Sequence, residues 1–255
     1  MPLEIATVPC LEDNYAFLLH ARDTGETALI DAPEPGPIVA ELALRGWSLT
    51  EVWLTHHHWD HVDGLPELAD RWQPRVVGAR ADAHRLPKLD LQVGDGQSFN
   101  FAGHDVQVLD VSGHTINHVA FHVPDASAVF TADSLMALGC GRLFEGTPDQ
   151  MWHSMQKLAA LPADTIVYSG HEYTQTNAAF AMTIEPGNPA LVDRVQRVKD
   201  ARAKGLPTVP STLADEMATN PYLRPSSPEI RATLDMQGAT DAQVFAEIRR
   251  RKDAF

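Results

Sequence analysis

The stretch Thr55-His56-His57-His58-Trp59-Asp60-His61 places five metal-capable side chains within seven residues. It follows the apolar run Val52-Trp53-Leu54, which reads as the end of a buried strand. In an extended segment alternate side chains share a face, so His56 and His58 point together and His57 points away, toward a packing role. If the chain then turns, Asp60 and His61 approach the same point from the other side. Four ligands exceed what one catalytic zinc needs if it is to keep an open position, so two metal ions side by side are the economical reading. A solvated histidine tract is the plain alternative. The internal position, the aspartate and the preceding strand speak against it.

Three later residues also sit where strands end. His114 follows Val106 to Val111 in Ser112-Gly113-His114-Thr115, Asp133 follows Phe130-Thr131-Ala132, and His171 follows Val167-Tyr168-Ser169-Gly170. Taken singly, each reads as a loop residue. As a set joined to the first cluster, they read as ligands held by a rigid sheet, as a catalytic metal site requires.

The elements that position these residues are legible in outline. Leu3 to Val8, Tyr15 to Leu19, Thr27 to Ile30 and Glu51 to Leu54 read as strands, with a helix from Pro37 to Arg45 stopped by Gly46. Gly64 to Trp72 reads as a helix with Asp63 as its N-cap. Val76-Val77, Ser98 to Phe101, Val106 to Val111, Val119 to Val123, Ala128 to Thr131 and Thr165 to Tyr168 are further strands. A helix opens at Thr147-Pro148-Asp149 and runs to about Leu161. Beyond Glu172 the pattern turns helical, at Ala178 to Met182, Leu191 to Ala203, Pro228 to Leu234 and Asp241 to Arg251, with prolines at the breaks. The expected architecture is an α/β (α+β) domain over residues 1–172 and a helical domain over 173–255.

Composition bounds the function. The 255 residues, 44% hydrophobic and 21% charged, fit a globular protein with a full core. Met1-Pro2-Leu3-Glu4-Ile5 carries neither the basic nor the apolar region of a secretory leader, and no run approaches the ~18 apolar residues of a membrane span. Cys10 and Cys140 make no disulfide framework, so a reducing, cytoplasmic location is expected; no membrane partner and a monomer are the further expectations. The net charge of −14 argues against a nucleic-acid partner. Residues 191–255 nevertheless hold eleven Lys and Arg against nine Asp and Glu, which suggests a separate task for the C-terminal region.

At this point the chain resembles a known family. His56-x-His58-x-Asp60-His61 followed by His114, Asp133 and His171 is similar to the ligand set of the metallo-β-lactamase superfamily. Pro9-Cys10-Leu11-Glu12-Asp13-Asn14-Tyr15, the run Gly139 to Gly146, Gly170-His171-Glu172-Tyr173-Thr174, Asn220-Pro221-Tyr222-Leu223-Arg224 and the ending Arg250 to Phe255 resemble signatures of glyoxalase II, the hydroxyacylglutathione hydrolases. The resemblance implies an αββα sandwich followed by a helical domain. It implies His56, His58 and His114 on one divalent metal ion, Asp60, His61 and His171 on a second, and Asp133 bridging. Zinc is the first expectation, with iron or manganese open.

The implied reaction is hydrolysis of a small-molecule glutathione thioester, S-(2-hydroxyacyl)glutathione, with S-D-lactoylglutathione the leading candidate. Hydroxide generated between the two ions would attack the carbonyl, and Asp60 and Asp133 would be the catalytic carboxylates. Arg142, Phe144, Tyr173, Arg249 and Lys252 match residues that contact glutathione in the family. For the run Arg249 to Lys252 alone, a favourable charge at a helix C-terminus, worth ~0.3–1 kcal/mol, would be explanation enough. Cys140 reads as structural, since a metal-generated nucleophile makes a second one redundant.

Several positions depart from the family pattern. Asn117 and Ala132 stand where glycine is usual, Ser134 where threonine is, Met136 where an aromatic is common, Phe144 where some members have tyrosine, and Ala214 where glycine is usual. The rivals are a persulfide dioxygenase using one iron, a nuclease on the same scaffold and a non-catalytic metal-binding module. The complete ligand set and the acidic charge weigh against each in turn.

Overall fold

A computed structural model describes residues 3–255, so the leader-free reading of the N-terminus rests in part on Met1 and Pro2, which lie outside the described residues. The chain divides into two compact units, one of residues 1–110 and 117–130, the other of residues 111–116 and 131–255.

The first unit contains two sheets. β1 (Leu3–Cys10), β2 (Asn14–Ala21) and β3 (Thr27–Ile30) pair antiparallel. β4 (Glu51–Leu54), β5 (Arg75–Ala79) and β6 (Leu91–Val93) then continue the sheet in parallel from β3. Parallel neighbours need a crossover. Helix α1 (Pro35–Arg45) supplies it between β3 and β4, and buries Ile38 and Leu42. Between β4 and β5 the chain runs through the single turn α2 (Trp59–Val62) and then α3 (Leu65–Trp72). β2, β3 and β4 are buried at every residue, as strands interior to a covered sheet should be.

The second sheet is antiparallel, from β7 (Ser98–Phe101) through β8 (His104–Asp110) and β9 (Val119–Val123) to β10 (Ala128–Ala132). Trp53 joins the two sheets. Its ring meets Phe99 and Phe101 edge-on at 5.2 and 5.4 Å and Phe121 at 5.5 Å. Phe17 packs on Phe130 at 5.8 Å in the same layer. Aromatic pairs at these separations each add about 0.5–1.5 kcal/mol beyond area burial.

The second unit is mainly helical. β11 (Leu135–Met136) and β12 (Gly139–Cys140) form a tight hairpin, and β13 (Ile166–Ser169) pairs with β14 (Ser211–Thr212). Around them lie α4 (Pro148–Ala159), α5 (Thr174–Ile184), α6 (Pro189–Ala203), α7 (Leu213–Thr219), α8 (Pro228–Leu234) and α9 (Asp241–Asp253). Thr147 with Gln150, and Thr240 with Gln243, form reciprocal capping boxes at α4 and α9. Among the described residues no helix is long and apolar enough to cross a membrane.

The expected elements stand where their periodicity put them, with bounds shifted by a few residues. One expectation fails. Asp63 does not cap α3; it closes α2, and Gly64 precedes α3 without a side-chain cap. Gly64 is fixed there by space, because a Cβ would lie 2.9 Å from the Ala32 carbonyl oxygen. Helices α2 and α7 and the strands β6, β11, β12 and β14 were not anticipated; the strands among them have only two or three residues, too few to show a period.

The departures at 117 and 132 both fall in left-handed backbone, with φ of 68° at Asn117 and 41° at Ala132. Asparagine tolerates that region; alanine carries a Cβ against the following carbonyl. Replacing Ala132 with glycine should remove a strain of ~1–2 kcal/mol at an entropic cost of ~0.5–1 kcal/mol. A132G is therefore expected to raise the urea midpoint modestly, and a lowered midpoint would refute the strain.

Candidate metal centre

In the first unit the ligand candidates lie just past the carboxyl end of β4, where parallel strands leave room for a site. His56 and His58 do share a face: His56 Nε2 and His58 Nδ1 are 3.2 Å apart. His57 points the other way, its Nδ1 3.0 Å from Asp82 Oδ2, while Arg85 Nε donates to the second oxygen of Asp82 at 2.6 Å. The chain does turn after His58, through α2, which carries Asp60 and His61.

His61 and His56 have partners that fix their rings. His61 Nδ1 lies 2.8 Å from Asp31 Oδ2. A carboxylate only accepts, so the proton sits on Nδ1 and the Nε2 lone pair is left for a ligand role. Asp31 also accepts from the Thr55 amide at 2.9 Å and the Thr55 hydroxyl at 2.8 Å. That hydroxyl lies 3.0 Å from His56 Nδ1, and His118 stacks on His56 at 4.6 Å. Asp31 comes within 4.8 Å of His56 and His61 as a possible ligand. Its two oxygens already serve Thr55 and His61, so its role is to hold them.

In the second unit Asp133 stands between two histidines. Its Oδ2 lies 3.3 Å from His114 Nε2 and its Oδ1 3.2 Å from His171 Nε2. One carboxylate thus faces each imidazole with a different oxygen, at separations longer than the ~2.7–2.9 Å of a charge-assisted hydrogen bond. This is the donor arrangement of a carboxylate able to bridge two cations. His114 Nδ1 is 2.8 Å from the Arg142 carbonyl oxygen, which again directs Nε2 toward the site. Gly141 permits this closeness, since a Cβ there would lie 1.8 Å from the Asp133 carbonyl oxygen.

The same unit presents aromatic rings beside these histidines. Phe144, 61% exposed, meets His114 edge-on at 5.2 Å, and the Arg142 guanidinium lies 5.5 Å over the Phe144 ring. Tyr173, 40% exposed, stacks flat on His171 at 4.7 Å. Lys252 lies over Phe180 and Phe255 at 5.3 and 5.1 Å, and burial holds its pKa below the usual lysine value, with Arg249 adding to the effect. Arg249 is 7% exposed. Its guanidinium donates to the Cys140 carbonyl at 2.9 Å and to Asp253 at 2.8 Å, and stacks over Tyr222. It reaches the chain two residues before the carbonyl that orients His114.

Three residues with supporting roles carried no role in the sequence reading. Asp31 is one, although a carboxylate directly after a buried strand is a usable signal. Asn14 sat inside a signature without a stated task. Asp82 had no signal at all, because its partner lies 25 residues away.

A profile described as the metallo-beta-lactamase superfamily matches residues 12–171, and one described as the hydroxyacylglutathione hydrolase C-terminus matches residues 172–255. Hydroxyacylglutathione hydrolase of Ruegeria pomeroyi is 66% identical over the whole of both chains. The chain belongs to the hydroxyacylglutathione hydrolase family of the metallo-beta-lactamase superfamily. The enzyme of the same name from Roseobacter denitrificans is 64% identical over the whole of both chains, and that of Methylococcus capsulatus 54% over 99% of each. Two solved structures share the fold. BLEG-1 B3 metallo-beta-lactamase has a TM-score of 0.67 at 18% identity, over 87% of this chain and all of that one. ETHE1 from Myxococcus xanthus has 0.64 at 24% identity, over 100% and 99%. The mixed α/β class and the helical C-terminal region anticipated from sequence are those of the family. Its histidine and aspartate groups imply divalent metal ions.

Cys140 is buried, and burial pushes its thiol up from 9.0 to about 11. The folded state holds that proton more tightly than the unfolded chain. Its stabilisation is whole below pH 9.0 and is lost as the pH rises toward about 11. Thermal unfolding across that range should show a steeper alkaline loss in the wild type than in C140A, and parallel profiles would contradict the shift.

Proposed function

We propose that this protein hydrolyses S-(2-hydroxyacyl)glutathione, with S-D-lactoylglutathione the expected substrate, to a 2-hydroxy acid and glutathione. What carries the reading is full-length identity of 66% to a protein of that activity, in a chain that keeps all seven ligand-type residues. The seven are His56, His58, Asp60, His61, His114, Asp133 and His171, and in this reading they act as one set for two divalent ions. The donor set, imidazole and carboxylate without thiolate, suits zinc, iron or manganese, with zinc preferred. When bound, such ions supply a water of lowered pKa and an electrophile for the carbonyl oxygen.

The chain's own residues do the rest. Asp133, with one oxygen toward each of His114 and His171, is suited to bridge. Asp60 is a ligand and orients the attacking oxygen. Glutathione carries two carboxylates and one ammonium, a net charge of about −1 at pH 7. In this reading Arg142 and Lys252 are the cations that meet it, and Phe144 and Tyr173, both exposed, offer ring surface to its backbone. Arg249 belongs to the same subsite, with its guanidinium also held on Cys140 and Asp253. Residues 173–255 are the substrate-binding part and residues 1–172 the metal-binding part.

A persulfide dioxygenase using one iron is not favoured, because the relatives identical to this chain at 66% and 64% over full length are hydroxyacylglutathione hydrolases. A nuclease would need clustered cations, which a net charge of −14 does not favour.

Metal content and turnover of S-D-lactoylglutathione should be measured on one sample. Two equivalents of metal are expected. Activity should vanish on chelation and return with zinc; activity that survives complete metal removal would end this reading. R142A and K252A should each raise KM about tenfold with kcat little changed, the loss of one charge-assisted hydrogen bond. An unchanged KM in both would remove these residues from the substrate subsite.

A further inference from the structure

Asn14 is the first residue of β2, at the exit of the turn Leu11–Asp13, and pairs in register with Cys10 of β1. It is buried. Its side-chain nitrogen lies 3.0 Å from Asp60 Oδ2 and 3.1 Å from the Asp60 main-chain oxygen. Both partners can only accept, so the nitrogen and not the oxygen of the amide must face them. A single NH2 group therefore grips residue 60 by its backbone and by its carboxylate. A carboxylate turns readily about its last bond, and a ligand that turns presents its oxygen over a range of directions. Fixing one oxygen fixes the other.

We infer that Asn14 is a positioning residue for Asp60: by holding Oδ2 and the main-chain oxygen, it fixes the orientation in which the carboxylate, whose Oδ2 lies 3.6 Å from His61 Nε2, is offered to a divalent cation. The inference rests on the ligand role proposed for Asp60. It assigns to the N-terminal hairpin, 46 residues upstream, control of one ligand of the centre. Strand geometry makes the control rigid, since Asn14 has its own place in the β1–β2 ladder. Few other side chains would serve. Aspartate brings like charge, alanine has no donor, and serine is shorter by the carbonyl unit.

The test is titration of the metal-free full chain with Zn2+ against a chromophoric chelator, counting equivalents. The wild type should take up two. N14A and N14D should keep one equivalent at wild-type affinity and bind the other 10–100-fold more weakly. The retained equivalent also reports that the chain is folded. D60A should lose the same equivalent, and N14A added to D60A should cost nothing further, because Asn14 acts through Asp60. Unchanged binding in N14A and N14D overturns the inference. So does equal weakening of both equivalents, which marks a general structural role. If D60A loses one equivalent and the Asn14 variants lose none, the ligand role of Asp60 stands and the inference alone fails. If D60A keeps both, the ligand role fails and the inference falls with it.

Discussion

An imidazole presents a lone pair in a defined direction only when its other nitrogen is held, and this constraint organises the centre. Asp31 holds His61, and the Arg142 carbonyl holds His114. Thr55 lies against His56 and is itself held twice by Asp31. Loss of such supporting contacts typically costs 10–100-fold in metal affinity, so they matter nearly as much as the ligands. The supports differ in kind. In the first unit they are side chains brought by neighbouring strands; in the second, a main-chain carbonyl supplied by a turn.

The first sheet explains how so many supports reach one loop. β4 lies between β3 and β5, all three parallel, so their carboxyl ends open on the same side. Asp31 follows β3 directly, and Asp82 lies just beyond β5. The loop after β4 is thus gripped from both flanks, at Thr55 and His61 by Asp31 and at His57 by Asp82. His57, between two ligand candidates, is turned outward by a buried carboxylate. That keeps His56 and His58 on the inner face. The sheet itself is anchored through Trp53, one residue before the strand ends, by aromatic contacts to the facing sheet.

The second unit joins ring orientation to exposed aromatic and basic side chains over very few residues. Arg142 offers its carbonyl to His114 and its guanidinium to the face of Phe144. Cys140, two residues earlier, accepts from Arg249 of α9 through its carbonyl. The C-terminal helix therefore bears on the same short segment that orients a histidine. This gives the positive balance of the C-terminal region a physical task in an otherwise acidic protein: one arginine braces the 140–142 segment, and a neighbouring lysine keeps company with two aromatic rings.

The sequence by itself determined which side chains could do chemistry. Ligand types and their spacing are local properties, and alternation along an extended strand settled that His56 and His58 would face one way and His57 the other. Longer strands and helices were equally legible, because burial imposes a period on six or more residues. What supports the candidate ligands was decided only by tertiary structure. Asn14 reaches Asp60 across 46 residues, Asp31 reaches His61 across 30, and Arg249 reaches Cys140 across 109. A hydrogen bond between such residues leaves no periodic trace in the chain, since it depends on which strand ends become neighbours. The short turn α2 and the hairpin β11–β12 were hidden for a related reason. They are too brief to carry a pattern, and the contacts that hold them come from elsewhere in the fold.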